Sequence, residues 1–507
     1  MAVAEQAADY DLLVIGGGIN GAGIAYDAAG RGLNVCLCEM GDLAGATSSS
    51  SSKLIHGGLR YLEQYEFRLV REALAERETL LKIAPHITQP MSFHLPHQST
   101  VRPAWMIQLG LFLYDHLGRR NTLVSSRRIR PDEDSPLKSS FQTVFEYSDA
   151  WVDDARLVLL NALGAREYGG VIYTRTRVVS GYRKNDLWHI GLEDLLTGKT
   201  REITARSLVN AAGPWVTEVL SGLSEKSANK IRLVKGSHII VPAIHLGDQA
   251  YILQNKDKRV VFVIPFLGKY SLIGTTEVEY SGDPSKATCS DEEREYLCQA
   301  VNDYFRRTIS VEDIIWEYSG VRPLFEDEAS DARAVTRDYA FELEDKNGKA
   351  PLLSIFGGKL TTYRKLAEHA VGRLSRYLPI EAGCWTGNRL LPGAQPVDQC
   401  LLELRKNYPW LPDEVATRFA HSYGSLAHEF LGEVFSVQEL GIHFGAGLYQ
   451  CEVDYLIHKE WVMEGDDLLW RRSKLGLFLR AEESGVLVDY IRSSVQRALS
   501  SGMLNRL

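Results

Sequence analysis

The sequence lacks a long apolar run, and this is its most informative absence. A helix that spans a bilayer needs about 20 predominantly apolar residues, and no stretch of the chain approaches that length. The N-terminus, MAVAEQAADYD, also lacks the basic segment and following apolar run of a secretory signal. We therefore expect neither a transmembrane helix nor a secretory signal.

The sequence also has few signs of a nucleic-acid-binding or disulfide-linked protein. Its formal net charge of −8 argues against general nucleic-acid binding, although local basic clusters could still hold an anion. Its cysteines form no CxxC pair, so we expect no disulfide framework and a reducing compartment. We predict no metal site.

What the sequence does contain is a dinucleotide-binding fingerprint. The apolar run 10–15, YDLLVI, is typical of a buried parallel strand, and Gly16, Gly18 and Gly21 follow it in the spacing GxGxxG. These glycines allow a tight turn, the approach of a pyrophosphate, and close packing of helix on strand. Glu39 ends the next apolar run, where an acidic residue accepts hydrogen bonds from a ribose. The pattern predicts a site for FAD or NAD.

Two glycine turns far downstream favour FAD. The segment NAAGPWV places a turn after a strand near Gly213, and FGGKLTTYRKLAEHA places two glycines before a helix near Gly358. A helix N-terminus at the second turn could stabilise negative charge on a reduced flavin. NAD-binding proteins usually continue with further βαβ units, which a long stretch displaces here.

Eight motifs follow one another along the chain: DLLVIGGGINGAGIAYDAAGRGL, TSSSSSKLIHGGLRYLE, EYSDAWVDDARL, LVNAAGPWV, KGSHIIVP, IGTTEVEY, YSGVRPL and FGGKLTTYRKLAEHA. Together they resemble the FAD-dependent glycerol-3-phosphate dehydrogenases of the aerobic, respiratory, quinone-linked type. The resemblance continues through EWV and LWRRSKLGL, so it covers nearly the whole chain. One departure is local, because Cys36-Leu-Cys38 replaces aliphatic residues in a strand and affects no catalytic group.

The resemblance implies an α/β fold with three parts. A Rossmann-like FAD-binding domain of the D-amino-acid-oxidase type would contain an inserted β-rich substrate domain, and a C-terminal all-helical cap would follow. The expected division is 9–85, 150–225 and 346–387 for the FAD-binding domain, 86–149 and 226–345 for the substrate-binding domain, and 388–507 for the cap.

The resemblance also implies a reaction and a location. Such an enzyme oxidises sn-glycerol 3-phosphate to dihydroxyacetone phosphate, with hydride transfer from C2 to N5 of FAD and electron transfer to a membrane quinone. It would be a cytoplasmic homodimer bound peripherally to the inner face of the cell membrane. The segment 102–120, RPAWMIQLGLFLYDHLGRR, has the basic ends and aromatic residues of an interfacial helix, and a core helix with basic ends is the alternative.

Binding of the substrate phosphate requires fixed positive charge, and arginine can donate two parallel hydrogen bonds to it. A surface ion pair is the usual alternative for a single arginine. By motif match, the resemblance assigns substrate binding to Arg60, Tyr61, Thr275, Arg322, Arg337 and Lys359.

The C2 hydroxyl group must lose a proton, and a neutral histidine has a suitable pKa for accepting it. His56 of KLIHGG and His238 of KGSHIIV are the candidates, and the sequence does not choose between them. The predicted catalytic set is His56, His238, Arg322 and Lys359.

Residues 45–63, GATSSSSSKLIHGGLRYLE, have the composition of a flexible linker. They follow Glu39 closely, however, and small hydroxyl side chains can approach a phosphate and donate hydrogen bonds to it. We therefore predict an ordered loop whose serines contact the pyrophosphate, with Lys53 and Leu54 along the flavin and Arg60 at the substrate. The predicted cofactor residues are Gly16, Gly18, Ile19, Asn20, Gly21, Glu39, Thr47, Ser48, Ser52, Lys53, Leu54, Val178, Ala212, Gly213, Gly357, Gly358, Lys359, Leu360 and Thr361.

Two other functions share most of these motifs. An oxidase on the same scaffold would pass electrons to oxygen and produce peroxide. A non-catalytic flavin-binding protein would have a regulatory or scaffolding role, and the basic residues within glycine-rich motifs argue against it. An interfacial helix favours the dehydrogenase over the oxidase.

Overall fold

The computed structural model describes residues 8–59, 62, 65–98, 103–118, 123–225, 227, 229–326 and 339–502. The predicted substrate residues Arg60, Tyr61 and Arg337 lie outside these ranges. Two large sheets and a C-terminal helical region make up the described chain.

The secondary-structure elements have the following bounds. The strands are β1 (Tyr10–Ile15), β2 (Val35–Cys38), β3 (Leu54–Ile55), β4 (Thr88–Pro96), β5 (Arg127–Ile129), β6 (Val144–Val152), β7 (Val171–Tyr173), β8 (Thr176–Lys184), β9 (Leu187–Asp194), β10 (Thr200–Asn210), β11 (Lys230–Pro242), β12 (Ala250–Gln254), β13 (Val260–Phe266), β14 (Tyr270–Gly274), β15 (Val278–Glu279), β16 (Trp316–Glu326), β17 (Ala340–Lys346), β18 (Lys349–Phe356), β19 (His443–Gly445) and β20 (Leu448–Tyr449). The α-helices are α1 (Ile19–Gly30), α2 (Phe67–Ile83), α3 (Ala104–Leu117), α4 (Asp154–Glu167), α5 (Val216–Gly222), α6 (Asp291–Tyr304), α7 (Tyr363–Leu374), α8 (Val397–Asn407), α9 (Asp413–Ser422), α10 (Ala427–Leu431), α11 (Gln450–Lys459) and α12 (Ala481–Ser500).

The first sheet has a parallel centre in the order β18-β10-β1-β2-β7. β17 pairs antiparallel with β18 at one edge, and β9 and β8 extend the sheet from β10. α1, α4 and α7 pack apolar side chains on one face, and α5 covers the other. A strand covered on both faces must be apolar throughout, which explains the continuous run Leu12-Leu13-Val14 in β1.

Glycine allows α1 to begin directly above β1. A Cβ at Gly21 would lie 1.9 Å from the carbonyl oxygen of Gly16, and a Cβ at Gly16 would lie 2.6 Å from that of Ala211. Gly16 also has a φ of 107°, which residues with a side chain rarely adopt. Larger residues at either position would push the helix away from the strand.

The second sheet follows the order β15-β11-β14-β13-β12-β4-β6-β3, with β16 beside β11 and β5 beside β6. α6 packs on one face, and α2 and α3 pack on the other. β11 and β16 pair antiparallel from Lys230 opposite Glu326 to Ile240 opposite Trp316. This long pair positions most of the candidate residues described below.

Two strands differ from the division expected from the sequence. β17 falls mostly within the expected substrate segment 226–345, yet it pairs in the first sheet. Asn347 and Gly348, both at positive φ, join β17 to β18 as a two-residue hairpin turn, and the domain prediction overlooked this Asn-Gly signal. β3 falls within the expected segment 9–85, yet it pairs with β6 in the second sheet. The other domain boundaries stay a prediction.

The C-terminal region is mainly helical, and α8 to α12 share one apolar core. β19 and β20 form a small antiparallel hairpin there, so the region is not entirely helical as predicted. Residues 460–474 contribute Val462, Leu468 and Leu469 to this core and also reach the first sheet through buried ion pairs.

α3 lies within the predicted segment 102–120, of which the structure describes 103–118, and is a surface helix rather than a fully buried core helix. Its buried residues are Ile107, Leu111 and Tyr114, and its exposed apolar residues are Trp105, Met106, Leu109 and Phe112. Within the described ranges, no helix is long and apolar enough to cross a membrane.

Candidate active site

Glu39 follows β2 and belongs to the ribose loop, residues 39–45. Its Oε2 accepts a hydrogen bond from the Gly17 N–H at 2.6 Å, and its Oε1 accepts one from the Gly41 N–H at 2.7 Å. Burial raises the pKa of this carboxyl group, and the two N–H donors oppose the shift. The carboxylate is therefore fixed at the carboxyl edge of the sheet, where ligands bind in open α/β folds.

The N-terminus of α1 meets the serine loop, residues 45–58. The Ile19 N–H donates a hydrogen bond to Ser48 Oγ at 3.0 Å, and a Cβ on Gly18 would lie 3.1 Å from the same oxygen. Helix N-termini favour anions because their N–H groups and dipole present positive charge. This arrangement suits a pyrophosphate.

The serine loop is held against β16 of the second sheet. Thr47 Oγ1 donates to the Val321 carbonyl at 2.6 Å, and the Tyr318 hydroxyl donates to the Ser51 carbonyl at 2.8 Å. Gly320 leaves room for the loop, because a Cβ there would lie 2.8 Å from a serine Cβ. A free linker would make none of these contacts, so the loop is ordered despite its linker-like composition.

Lys53 anchors the serine loop through its own buried side chain. Its buried Nζ lies 2.8 and 3.0 Å from the two carboxylate oxygens of Asp154 and donates to the Ser49 carbonyl at 3.1 Å. Burial alone would lower the pKa of Lys53, but the Asp154 carboxylate raises it. The ammonium group is thus paired within the protein, and the predicted flavin contact of Lys53 stays a prediction. Leu54 follows it into β3.

Asn20 connects α1 to the glycine turn that follows β18. Its Nδ2 donates to the Gly357 carbonyl at 3.1 Å, and a Cβ on Gly358 would lie 2.8 Å from the same nitrogen. Its Oδ1 is buried and has no hydrogen-bond partner in the part of the chain that the structure describes. Since buried acceptors are nearly always satisfied, this atom fits a position beside a polar group of a bound cofactor.

The turn after β10 and the strand β8 border the same edge. A Cβ on Gly16 would lie 3.0 Å from Ala212 Cα, and Gly213 follows with a φ of 56° and open space where its Cβ would lie. Val178 lies in β8. Two residues before it, the Thr176 N–H donates a hydrogen bond to the Glu39 carbonyl at 2.8 Å. The predicted cofactor residues Val178 and Gly213 therefore lie in segments that flank the ribose loop and α1.

Lys359, Leu360 and Thr361 lead from the glycine turn into α7. Thr361 Oγ1 accepts a long hydrogen bond, 3.4 Å, from the backbone N–H of His56. This contact joins the half-buried His56 to the segment that follows Lys359.

The β11–β16 pair brings three other predicted residues together. Arg322 lies opposite Val234, four residues before His238 in β11, and alternate residues of a strand share a face. Gly236 lies between them, and a Cβ there would lie 2.4 Å from Thr275 Oγ1 and 3.2 Å from Arg322 Nη2. His238, Thr275 and Arg322 therefore form one cluster beside the serine loop.

His238 is a buried, neutral imidazole. Its Nε2 lies 2.8 Å from Ser52 Oγ, and its ring stacks on Tyr318 with centroids 4.9 Å apart. Burial, followed by the cations of Lys53 and Arg322, lowers the pKa of His238 to about 3. Its Nδ1 makes no hydrogen bond to any described residue. A neutral ring with one available nitrogen can take up a proton.

Arg322 combines partial exposure with a weak ion pair. Its Nη2 lies 3.7 Å from Glu277 Oε1, and the arginine side chain is 37% exposed. An ion pair this long and this solvated contributes little. The guanidinium group lies in the cluster with His238 and Thr275, and arginine is well suited to bind a phosphate there.

Tyr114 of α3 is a site residue that the sequence did not reveal. Its hydroxyl accepts a hydrogen bond from the Gly57 N–H at 2.7 Å and donates to the Asp149 carboxylate at 2.8 Å. Arg77 Nη1 pairs with the same carboxylate at 2.6 Å. These buried groups fix the glycine beside His56, and nothing in the pattern of segment 102–120 signals this contact.

Comparisons with known proteins agree with this geometry. Residues 11–364 match the family of FAD dependent oxidoreductases, and residues 384–497 match the C-terminal domain of alpha-glycerophosphate oxidase. The chain is 53% identical to the aerobic glycerol-3-phosphate dehydrogenase of Escherichia coli, over 97% of this chain and 99% of that protein. It is 49% identical to the D-erythritol 1-phosphate dehydrogenase of Brucella abortus, over 95% of this chain and 97% of that protein.

A solved structure extends the comparison to the fold. The glycerol-3-phosphate dehydrogenase of Bacillus halodurans, complexed with FAD, has a TM-score of 0.74 and 28% identity, covering 97% of this chain and 90% of that one. The chain therefore belongs to the FAD-dependent oxidoreductase family, within its glycerol-3-phosphate dehydrogenases. The predicted fold class and the predicted cofactor, FAD, are confirmed.

Proposed function

We propose that this enzyme oxidises sn-glycerol 3-phosphate at C2 to dihydroxyacetone phosphate and passes the electrons through FAD to a membrane quinone. The observation that carries the proposal is the cluster of His238, Thr275 and Arg322 beside the serine loop. The cluster offers a neutral base and a cation for a phosphate, next to residues that suit a dinucleotide. Full-length similarity to a glycerol-3-phosphate dehydrogenase supports the same reaction.

Each residue has a distinct proposed role. FAD, when bound, supplies the hydride acceptor. Arg322 would bind the phosphate through charge-assisted hydrogen bonds, and Thr275 would contact a substrate oxygen. Glu39 would bind the ribose, and Ser48 with the N-terminus of α1 would bind the pyrophosphate. The further proposed substrate residues are Lys359 and, outside the described ranges, Arg60, Tyr61 and Arg337.

His238 is the proposed base for the C2 hydroxyl proton. Its ring is neutral before substrate binds, because burial and two nearby cations lower its pKa. The phosphate dianion would offset those cations and raise the pKa, which favours proton uptake during turnover. His56 is the second candidate, since its backbone is tied to Thr361 beside Lys359.

Anaerobic reduction of the flavin tests the proposed reaction. The holoenzyme should lose its yellow absorbance on addition of sn-glycerol 3-phosphate, and glycerol without a phosphate should have no effect. D-erythritol 1-phosphate is the matched comparison, because one relative is named for it. If sn-glycerol 3-phosphate does not bleach the flavin, the proposal is wrong. If D-erythritol 1-phosphate bleaches it much faster, D-erythritol 1-phosphate is the substrate.

Oxygen is the second candidate for the electron acceptor, because residues 384–497 match a domain of an oxidase. Turnover should be measured with a soluble quinone under argon and with oxygen under peroxide detection. We expect fast quinone reduction and little peroxide. Stoichiometric peroxide at a comparable rate would instead make the protein an oxidase.

α3 supports peripheral attachment to the cytoplasmic face of the cell membrane. Trp105 and Phe112 are 65% and 56% exposed, and amphipathic helices with such residues insert into membrane interfaces. The variant Phe112→Glu should reduce cosedimentation with anionic phospholipid vesicles, while Leu196→Glu, at an exposed turn of the first sheet, should not. Equal binding of both variants and the wild type would contradict a role of α3.

We also propose a homodimer. The C-terminal region exposes Phe435 and Val486, which are apolar and could contribute to a contact between two copies. Light scattering of the purified protein tests this point, and a monomer mass at micromolar concentration would exclude it.

A further inference from the structure

Residues 460–474, here named the C-terminal clamp, run from the C-terminal core to the carboxyl edge of the first sheet. The clamp contains a single π-helical turn, Asp467–Arg472. Such turns place consecutive side chains in directions that an α-helix does not allow, and they are frequent at functional sites. Here Asp467, Arg471 and Arg472 all point toward the ribose loop and its neighbour Arg175.

Asp42 of the ribose loop is the first target of the clamp. Arg472 holds both oxygens of its carboxylate, with Nη1–Oδ2 at 2.5 Å and Nη2–Oδ1 at 2.8 Å, and Arg471 Nε lies 2.5 Å from Oδ2. The side chains of Asp42 and Arg472 are each 1% exposed. Arg472 also donates to the Glu460 carbonyl at 2.6 Å, which ties the pair to the first residue of the clamp.

Arg175 is the second target. Its Nη2 lies 2.8 and 2.9 Å from the carboxylate oxygens of Asp467, and its backbone N–H donates to the Gly41 carbonyl at 2.9 Å. The carbonyl of Gly41 is therefore tied to the clamp through Arg175. The N–H of the same Gly41 donates to Glu39 Oε1, and Asp42 follows it directly.

The end of the clamp reaches the serine loop as well. Lys474 forms an ion pair with Asp153, whose neighbour Asp154 binds Lys53 and accepts a hydrogen bond from Ser51 Oγ at 2.7 Å. One short segment thus braces the two loops that border the proposed ribose and pyrophosphate contacts.

Buried ion pairs seldom add net stability over apolar packing, because each charge loses its hydration. They do fix geometry, since removal of one partner leaves an uncompensated buried charge. We infer that the C-terminal clamp is a positioning element for FAD, which through Asp42 and Arg175 holds the ribose loop so that Glu39 can bind the adenosine ribose. The inference rests on the proposed role of Glu39 and requires no assumption about the substrate.

The variant Arg472→Met tests the inference. Its apoprotein is titrated with FAD, and the quenching of flavin fluorescence is used to measure binding. The methionine keeps much of the side-chain volume and removes the charge. We expect the FAD dissociation constant to rise about tenfold or more. ADP, which carries the same adenosine ribose, should lose affinity as a competitor by a similar factor. The rate of flavin reduction at saturating FAD should stay unchanged, because the clamp does not touch the reacting atoms.

Arg418→Met is the matched control. Arg418 forms an equally short ion pair with Glu452, at 2.5 and 2.7 Å, but entirely within the C-terminal region. The variant Arg418→Met should leave the affinity for FAD and ADP unchanged. Wild-type affinity in Arg472→Met, or an equal loss in both variants, would overturn the inference. If Arg472→Met does not fold, Asp42→Asn tests the same contact from the other side. These titrations contain no substrate, so their outcome is separate from that of the anaerobic reduction.

Discussion

Nε2 of His238 lies 2.8 Å from Oγ of Ser52, and this contact joins the second sheet to the serine loop. The same loop reaches the N-terminus of α1 through Ser48. The orientation of the candidate base is therefore fixed by the loop that borders the dinucleotide site. Only the segment from Ser48 to Ser52 separates the contact with α1 from the contact with the candidate base.

His238→Asn should slow flavin reduction by about 10²- to 10⁴-fold, the usual contribution of a general base, with little change in FAD affinity. The measurement is anaerobic stopped-flow reduction across a range of pH, with His56→Asn as the parallel variant. If His56→Asn is slow and His238→Asn reduces at the wild-type rate, the base is His56.

Arg322→Ala should weaken substrate binding by about 1.5–3 kcal/mol, because charged hydrogen bonds to the phosphate are lost. The apparent dissociation constant from the reduction kinetics measures this change. Arg294→Ala is the control, since Arg294 of α6 is also partly exposed but pairs with Glu317 of β16, whose side chain alternates to the opposite face from Tyr318. An unchanged dissociation constant in Arg322→Ala would remove this arginine from the site.

Tyr114→Phe should destabilise the protein by about 1–3 kcal/mol, because it leaves the buried Gly57 N–H and part of the Asp149 carboxylate unsatisfied. It should also slow flavin reduction, since the freed glycine no longer fixes His56. Urea denaturation and stopped-flow reduction measure the two effects. Tyr147→Phe, in the same apolar cluster, is the control. A stability loss without any kinetic change would limit Tyr114 to a structural role.

Much of the dinucleotide site could be predicted from the sequence because its constraints are local. Gly21 is required by a contact within its own turn, Gly16 by its positive φ, and Glu39 directly follows the next strand. The ordered serine loop was predictable for a similar reason, since its position after Glu39 outweighs its linker-like composition.

Contacts between distant segments were not predictable in this way. Tyr114 meets Gly57, and Arg472 meets Asp42, through chain reversals that no periodic pattern encodes. Lys53 is a further example. Its motif suggested a flavin contact, but its charge is paired with Asp154, 101 residues away, and the sequence did not indicate that pairing. Charge pairing between distant segments of the chain depends on the assembled fold rather than on spacing.

His86 should make stability depend on pH between about 6.5 and 3. The ring is fully buried, and neither nitrogen has a partner among the described residues. Burial, followed by Arg156 and His421, lowers its pKa to about 3. The unfolded chain, with a histidine pKa of about 6.5, then binds more protons than the folded chain, so stability is lost as the pH falls through this window, by up to about 1.4 kcal/mol per pH unit.

His86→Leu should make the urea midpoint fall less steeply with acidification than in the wild type, and His458→Leu, at an exposed position of α11, is the control. Identical slopes for His86→Leu and the wild type would show that this buried histidine does not contribute to acid sensitivity.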